Sequence, residues 1–348
     1  MWANAVRWPE LKRNSPKKFL ECNKIIAFAT VANAKFGLNQ MGVDRRLAVG
    51  LLALMGKTFC AIASLLFSLL AAAPGAQAQA LPRNVNDHYF LTSDGVRLHY
   101  LEAGPPGAHT LVFVPGWTMP AWIWMPQIMA FSRHYHVVAF DPRGQGDSAV
   151  PAEGYEPVRR GRDIAELISN IQSGPVVVVG WSLGVLDTLA SIHVAGDRRL
   201  AGLVLVDNSV GEDPPPTYPP PPRHRLPQPA SHQVAMKQFV RAMFHRQQPP
   251  VYLDRLTKAA LRTPEEASRL LKAYPEPRSY WKEAVYGTKV PILYVVRPRW
   301  VAQGENLVRN RPDTEMDIFS DAGHALFVDE PTRFNNVTER FLEKFVWP

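Results

Sequence analysis

Cysteine is almost missing from this chain: 348 residues contain two, Cys22 and Cys60. That count excludes a disulfide-stapled scaffold. No Walker loop, no cluster with metal-ligand spacing and no internal repeat is found, and Gly144-x-Gly146 is too short for a dinucleotide fingerprint. No cofactor and no metal are therefore expected. An excess of one charge is also lacking in most of the chain. The formal net charge is +8, but residues 1–79 hold ten Lys/Arg against three Asp/Glu, leaving 29 against 28 in the remainder. A nearly neutral body gives nucleic-acid binding little support. Hydrophobic residues at 46% and charged residues at 20% fit a globular protein and argue against wholesale disorder or a multi-span membrane protein.

The basic head reads as a targeting segment. Met55-Gly56-Lys57, the apolar stretch Thr58 to Ala73 and the small residues around Ala76-Gln77-Ala78-Gln79-Ala80 form the n-region, h-region and cleavage site of a signal peptide. A start at Met41 is the alternative, with Arg45-Arg46 giving a stronger n-region. Residues 41–80 are thus assigned to a signal peptide and 1–40 to a disordered extension or a start placed too early. Cleavage after Ala78 or Ala80 removes both cysteines, leaving about 270 residues without a thiol nucleophile or thiolate metal site. An exported protein, periplasmic or secreted, without a stable membrane anchor is the expectation. The competing reading is an uncleaved N-terminal anchor, against which Lys57 interrupts the apolar run.

Beyond residue 85, strand and helix patterns alternate. His88 to Thr92 and Val96 to Glu102 flank Ser93-Asp94-Gly95 and predict a β-hairpin. Short apolar runs follow at Thr110 to Val114, His136 to Phe140, Pro175 to Val179, Leu203 to Val206, Val290 to Val296 and Met316 to Phe319. Runs this continuous suit strands buried on both faces of a parallel sheet. Helical spacing recurs between them, as at Pro157 to Gln172 and Pro331 to Phe345. The order predicts an α/β fold, a mostly parallel central sheet with helices on both faces, built from residues 85–208 and 288–348.

The alternation breaks at 209–287. Nine prolines between Pro214 and Pro229 make a stiff extended segment. Helical patterns follow at Ser231 to His245, Val251 to Leu261 and Pro264 to Ala273. Three short helices are too few to fold alone, so they are expected to form a cap over the carboxyl edge of the sheet, where open α/β folds bind ligands.

One motif carries the chemistry. The run Pro175 to Val179 leads into Gly180-Trp181-Ser182-Leu183-Gly184 and then a helical pattern from Val185. Gly-x-Ser-x-Gly between a strand and a helix is a nucleophile elbow, whose glycines permit the close approaches that a sharp turn imposes. From here the chain resembles the α/β-hydrolase fold family over about residues 85–346. Val112-Phe113-Val114-Pro115-Gly116-Trp117 is similar to its oxyanion loop, Asp141 to Ser148 (DPRGQGDS) to its D-x-R-G-x-G-x-S turn, and Asp321-Ala322-Gly323-His324 to its catalytic-histidine loop. Pro115 departs from the His common before Gly116.

The resemblance implies a serine hydrolase acting through an acyl-enzyme. Ser182 is the expected nucleophile, His324 its base, and the backbone N–H groups of Leu183 and Trp117 the oxyanion donors. Trp117, Trp122 and Trp124 are expected to make an apolar acyl pocket. The acid is open among several carboxylates. The loop after Val290 to Val296 holds Glu305 but no Asp, whereas Asp207 follows Leu203 to Val206, where haloalkane dehalogenase-like members of the family place theirs. Asp207 is preferred, with Glu305 the alternative and Glu212 or Asp213 behind it. Asp141 and Arg143 are expected to hold their turn by local hydrogen bonds, and Arg159-Arg160-Gly161-Arg162 to be a solvated helix start. A serine nucleophile argues against the dehalogenases and epoxide hydrolases of the family, which use a carboxylate there. The expected substrate is a small or medium carboxylic ester. A C–C bond hydrolase, a cofactor-free perhydrolase and a non-catalytic ligand-binding homologue remain as alternatives.

Overall fold

A computed structural model describes residues 81–171, 173–215 and 231–348. The segments read as an extension (1–40, with Cys22) and as a leader (41–80, with Cys60), and residues 216–230 of the Pro-rich segment, lie outside them.

Eight strands form one sheet in the order β1-β2-β4-β3-β5-β6-β7-β8. The strands are β1 (Val85–Leu91), β2 (Arg97–Ala103), β3 (Thr110–Val114), β4 (His136–Asp141), β5 (Val176–Trp181), β6 (Leu200–Val206), β7 (Ile292–Val296) and β8 (Thr314–Ile318). β1 and β2 form the hairpin around Ser93-Asp94-Gly95, β2 pairs antiparallel with β4, and every other pairing is parallel. The valine-rich strands explain why both faces are covered. Val176 and Val178 enter one hydrophobic core while Val177 and Val179 enter the other, as the two-residue period of a strand requires. On one face lie α1 (Met125–Phe131) and, near the C-terminus, Pro331–Phe341; on the other lie α2 (Pro157–Asn170) and α3 (Leu183–Ala195).

Strand order fixes where a site can form. The chain moves outward from β3 to β4 on one side, then returns to place β5 on the other. The loops leaving the carboxyl ends of β3 and β5 therefore diverge over a crevice, the switch point at which open parallel sheets bind ligands.

Between β6 and β7 the described residues contain α4 (His232–Ala242), α5 (Pro250–Ala260), α6 (Glu265–Leu270) and α7 (Arg278–Gly287). The first three coincide with the helical patterns in the sequence. The fourth was not anticipated there. Its Trp281, Ala284 and Val285 are buried and face the sheet core, and Tyr280 stacks on His193 of α3 at 4.0 Å. This helix thus packs on the core, although the sequence boundary at 287 groups it with the insertion. Pro275 and Pro277 just before it hide its short apolar stripe among turn residues. The chain closes with α8 (Val301–Asn310), α9 (Leu326–Asp329) and α10 (Pro331–Phe341), the last running into a π-helical turn over Leu342–Val346.

Of the basic cluster at the start of α2, Arg162 is exposed as expected, but Arg159 and Arg160 are not solvated. Arg159 is 9% and Arg160 1% exposed. Arg160 donates Nε to the buried Asp187 of α3 at 2.8 Å, and Arg159 reaches Asp163 at 2.8 Å and Glu166 at 2.9 Å. Arg143 is fully buried, and its reach is longer than its own turn: it bonds Asp163 at 2.5 and 2.7 Å and Asp94 of the hairpin at 3.0 Å. Burial here is made tolerable by pairing each charge.

Candidate active site

Ser182 ends β5 in a conformation few residues adopt, φ 54° and ψ −119°, with its N–H donating to Val206 O at 2.9 Å. The neighbouring glycines allow this. A Cβ on Gly180 would lie 2.5 Å from Gly184 O, and one on Gly184 would lie 2.5 Å from Val114 O. Neither position has room for a side chain. The turn is held from β6 as well, because Asn208 donates Nδ2 to Ser182 O at 2.8 Å.

His324 follows β8 in the loop before α9. Its Nε2 lies 2.8 Å from Ser182 Oγ, and its Nδ1 lies 2.6 Å from Asp207 Oδ2. The structure thus brings Ser182, His324 and Asp207 into one hydrogen-bonded chain. The backbone of the histidine loop is held too, since Trp181 Nε1 donates to His324 O at 2.8 Å. Asp207 stands one residue past β6, at φ 49°, with a side chain of 0% exposure. It is shared: Arg297, one residue past the adjacent β7, donates its backbone N–H to Oδ1 at 3.1 Å and Nε to Oδ2 at 2.7 Å.

The alternative acids lie elsewhere. Glu305 is in α8, on a surface groove with Arg309 and Glu315. Glu212 is buried, bonded to Lys282 Nζ at 2.8 Å, to Asn306 at 3.1 Å and to Tyr286. Burial works to raise its pKa, but the bonds from Lys282 and Tyr286 outweigh it and hold the carboxyl below its usual value. Burial, with that same carboxylate adding to it, pushes Tyr286 up to about 12. Asp213 is exposed and lies 3.4 Å from Lys282 Nζ.

The loop after β3 carries Gly116, Trp117 and Thr118. A Cβ on Gly116 would lie 2.9 Å from Ser182 Cβ, so the loop passes directly beside the nucleophile. Thr118 has φ 61° and donates its N–H to Gln145 Oε1. Asp141 supports the loop from β4, accepting from Ala121 N at 2.5 Å and from Asp147 N at 2.9 Å. Its bonds therefore join two loops, which a purely local turn would not do. Trp117 and Leu183, the two expected oxyanion donors, both border the cavity that contains Ser182 and His324.

That cavity measures about 260 Å³. Its apolar wall is Trp117, Leu183, Phe239 and Trp300. Of the three tryptophans expected to line it, only Trp117 does. Trp124 is fully buried and stacks on Phe327 at 3.7 Å, and Trp122 meets Tyr252 at 5.8 Å. Trp117 also ties the insertion down: Nε1 donates to Ser268 O of α6 at 2.7 Å, and Phe239 of α4 packs edge-on at 4.9 Å. A second tie runs through Asp329, which accepts from Gly323 N and His245 N, each at 2.7 Å. The histidine loop and the end of the α4 segment are thereby held by one carboxylate.

Sequence reading missed this supporting layer: Arg297, Asn208, Gln145, Asp329 and Tyr294. Burial, with the Asp207 charge adding to it, pushes the Tyr294 phenol far above its ordinary value. It stays protonated and donates to Asn208 O at 2.7 Å. Only Arg297 had a local signal, its position just past a predicted strand.

Among the described residues, His99, Asp141 and Asp147 are the grouping with metal-ligand spacing. Both His99 nitrogens already meet carboxylates, Asp141 at 2.7 Å and Asp87 at 3.0 Å, and Asp141 is occupied by backbone donors. The group reads as a clamp on the two loops.

Comparison with known proteins agrees with this architecture. Residues 111–337 match the model of the alpha/beta hydrolase family. The chain belongs to that family. A non-heme chloroperoxidase from Streptomyces lividans is 34% identical over 116 residues, 33% of this chain and 42% of the relative. A soluble epoxide hydrolase from a Corynebacterium strain is 33% identical over 97 residues, 28% of this chain and 33% of the relative. The chain thus spans less than half the length of these curated relatives. A solved structure assigned as an aryl esterase from Burkholderia cenocepacia superposes with a TM-score of 0.65 at 25% identity, covering 74% of this chain and 98% of that one.

Proposed function

We propose that this protein is a serine esterase, cleaving carboxylic esters through an acyl-enzyme on Ser182. The observation that carries the reading is the continuous chain from Ser182 Oγ to His324 Nε2 at 2.8 Å and from His324 Nδ1 to Asp207 Oδ2 at 2.6 Å. His324 Nε2 takes the hydroxyl proton as Oγ attacks the ester carbonyl, and Asp207 fixes the imidazole and stabilises its charged form. Negative charge gathering on the carbonyl oxygen is met by the N–H groups of Leu183 and Trp117. His324 then returns the proton to the departing alcohol. A water enters, loses its proton to His324 and releases the acid, restoring Ser182.

A neutral serine and a histidine base suit esters, and the apolar wall of Trp117, Phe239 and Trp300 suits an acyl chain of modest size in about 260 Å³. The completed chain of three groups weighs against a non-catalytic ligand-binding homologue, whose case rested on a missing acid. Labelling with a fluorophosphonate, read by intact-protein mass, tests the proposal. Stoichiometric labelling of wild type, none of Ser182→Ala, and matching loss of p-nitrophenyl butyrate hydrolysis are expected. A folded wild-type protein that takes no label would overturn it.

A further inference from the structure

The short connection from α6 to α7 lies between two cavities. α6 closes with the N–H groups of Lys272 and Ala273 donating to Arg269 O at 3.1 Å and Leu270 O at 3.0 Å. Pro275 then disfavours a helical backbone at Tyr274, and no helix resumes until Arg278. The residues strung along this connection serve different walls. Lys272 borders the cavity at Ser182, whereas Ala273 and Pro275 border a second one. That second cavity is a groove of about 770 Å³, against about 260 Å³ at Ser182. Leu270 and the stretch Ala152 to Glu156, just after the D-x-R-G-x-G-x-S turn, complete its lining. Among the described residues, Tyr274 alone lines both cavities. Its ring is braced from α7 by an edge contact with the buried Trp281, 6.1 Å between centres.

One aromatic side chain thus separates a small cavity that holds the nucleophile from a much larger groove that does not. The ester bond has to lie at Ser182, so whatever passes Tyr274 is the far end of one of the two arms of the substrate. The groove suits an uncharged arm. Leu270, Ala273 and Pro275 offer carbon surface, and Glu153 and Glu156 oppose an anionic end. We infer that Tyr274 determines the length of ester this site accepts, by standing between the catalytic cavity and the space that the rest of a longer apolar chain would fill. This inference rests on the esterase reading and narrows it to short, uncharged substrates.

Two ester series test it. The acyl series compares p-nitrophenyl decanoate with p-nitrophenyl butyrate, and the alcohol series compares octyl butyrate with ethyl butyrate. The quantity read in each is the ratio of kcat/KM for the long ester to that for the short one. Wild type is expected to favour the short ester by about tenfold in the series whose varying arm meets Tyr274, and Tyr274→Ala to raise that ratio by about tenfold. Tyr274→Leu, which keeps an apolar side chain beside Trp281, is expected to give an intermediate rise. The series that responds identifies the arm. Adding Ala273→Trp to Tyr274→Ala fills the groove from a position outside the catalytic cavity and should return the ratio to near its wild-type value. A wild type that favours the long ester in both series, ratios unmoved by both Tyr274 variants, or a rise that Ala273→Trp leaves in place overturns the inference while leaving ester cleavage intact. Absence of hydrolysis of all four esters, with no label on Ser182, would instead sink the esterase reading itself.

Discussion

The edge of the sheet and the insertion above it are built on different physical terms. Ser182, Asp207 and Arg297 each stand within a residue of a strand end, and parallel pairing fixes their spacing: Trp181 lies opposite Val206, and Val206 opposite Val295. Each of these groups also has two or more hydrogen bonds. The insertion contributes Phe239 and Lys272, held by ring contacts and by ties at Trp117 and Asp329. Backbone register positions the Ser182–His324–Asp207 chain, whereas side-chain contacts between helices and loops position the insertion's share of the cavity wall. The division predicts that damage at the edge is read in kcat and damage in the insertion in KM.

His324→Gln should break the edge most severely. Removing the base is expected to lower kcat for p-nitrophenyl butyrate by about ten-thousand-fold or more, with the melting temperature nearly unchanged. Phe239→Ala sharpens the other side. Loss of an apolar wall from the insertion is expected to raise KM by roughly three- to tenfold, more for longer acyl chains, with kcat within about twofold. Equal loss of kcat in that variant would mean that the insertion also positions the reacting groups.

The smallest effect concerns the clamp beneath the oxyanion loop. Burial works to lower the pKa of His99, but its bonds to Asp141 and Asp87 outweigh it and raise it above the ordinary value. A raised folded pKa stabilises the fold fully below the unfolded value of about 6.5, and that contribution disappears as pH rises through the folded value. His99→Gln should therefore cost roughly 1.5–3 kcal/mol near pH 5.5 and less at alkaline pH. Melting curves across that range check the sign. A gap that widens with rising pH would show that His99 is neutral in the folded protein.

Much of this was legible in the sequence, for identifiable reasons. The strands at Thr110 to Val114 and Val176 to Val179 announce themselves because burial on both faces demands unbroken apolar runs. The elbow is legible because a strained serine between close-packed turns admits only glycine at Gly180 and Gly184. What stayed hidden depends on contacts between distant segments. Arg160 looked like part of a solvated helix start because its partner, Asp187, becomes visible only once α2 packs on α3, whereas Arg159 pairs within α2 with Asp163 and Glu166. Arg297 could not be assigned to Asp207 without knowing that β6 and β7 are neighbours. Trp124 went to the core and Trp117 to the cavity, although a few positions apart, because the loop turns between them. The helix Arg278–Gly287 was lost among prolines.

The central claim is that the sheet edge carries the complete chemistry, with the acid past β6 at Asp207 and none past β7. Measuring kcat/KM on p-nitrophenyl butyrate for Asp207→Asn and Glu305→Gln side by side tests it most directly. The account predicts a fall of about a thousand- to ten-thousand-fold for the first and a change within about twofold for the second. Near-wild-type turnover in Asp207→Asn together with loss of activity in Glu305→Gln would contradict it.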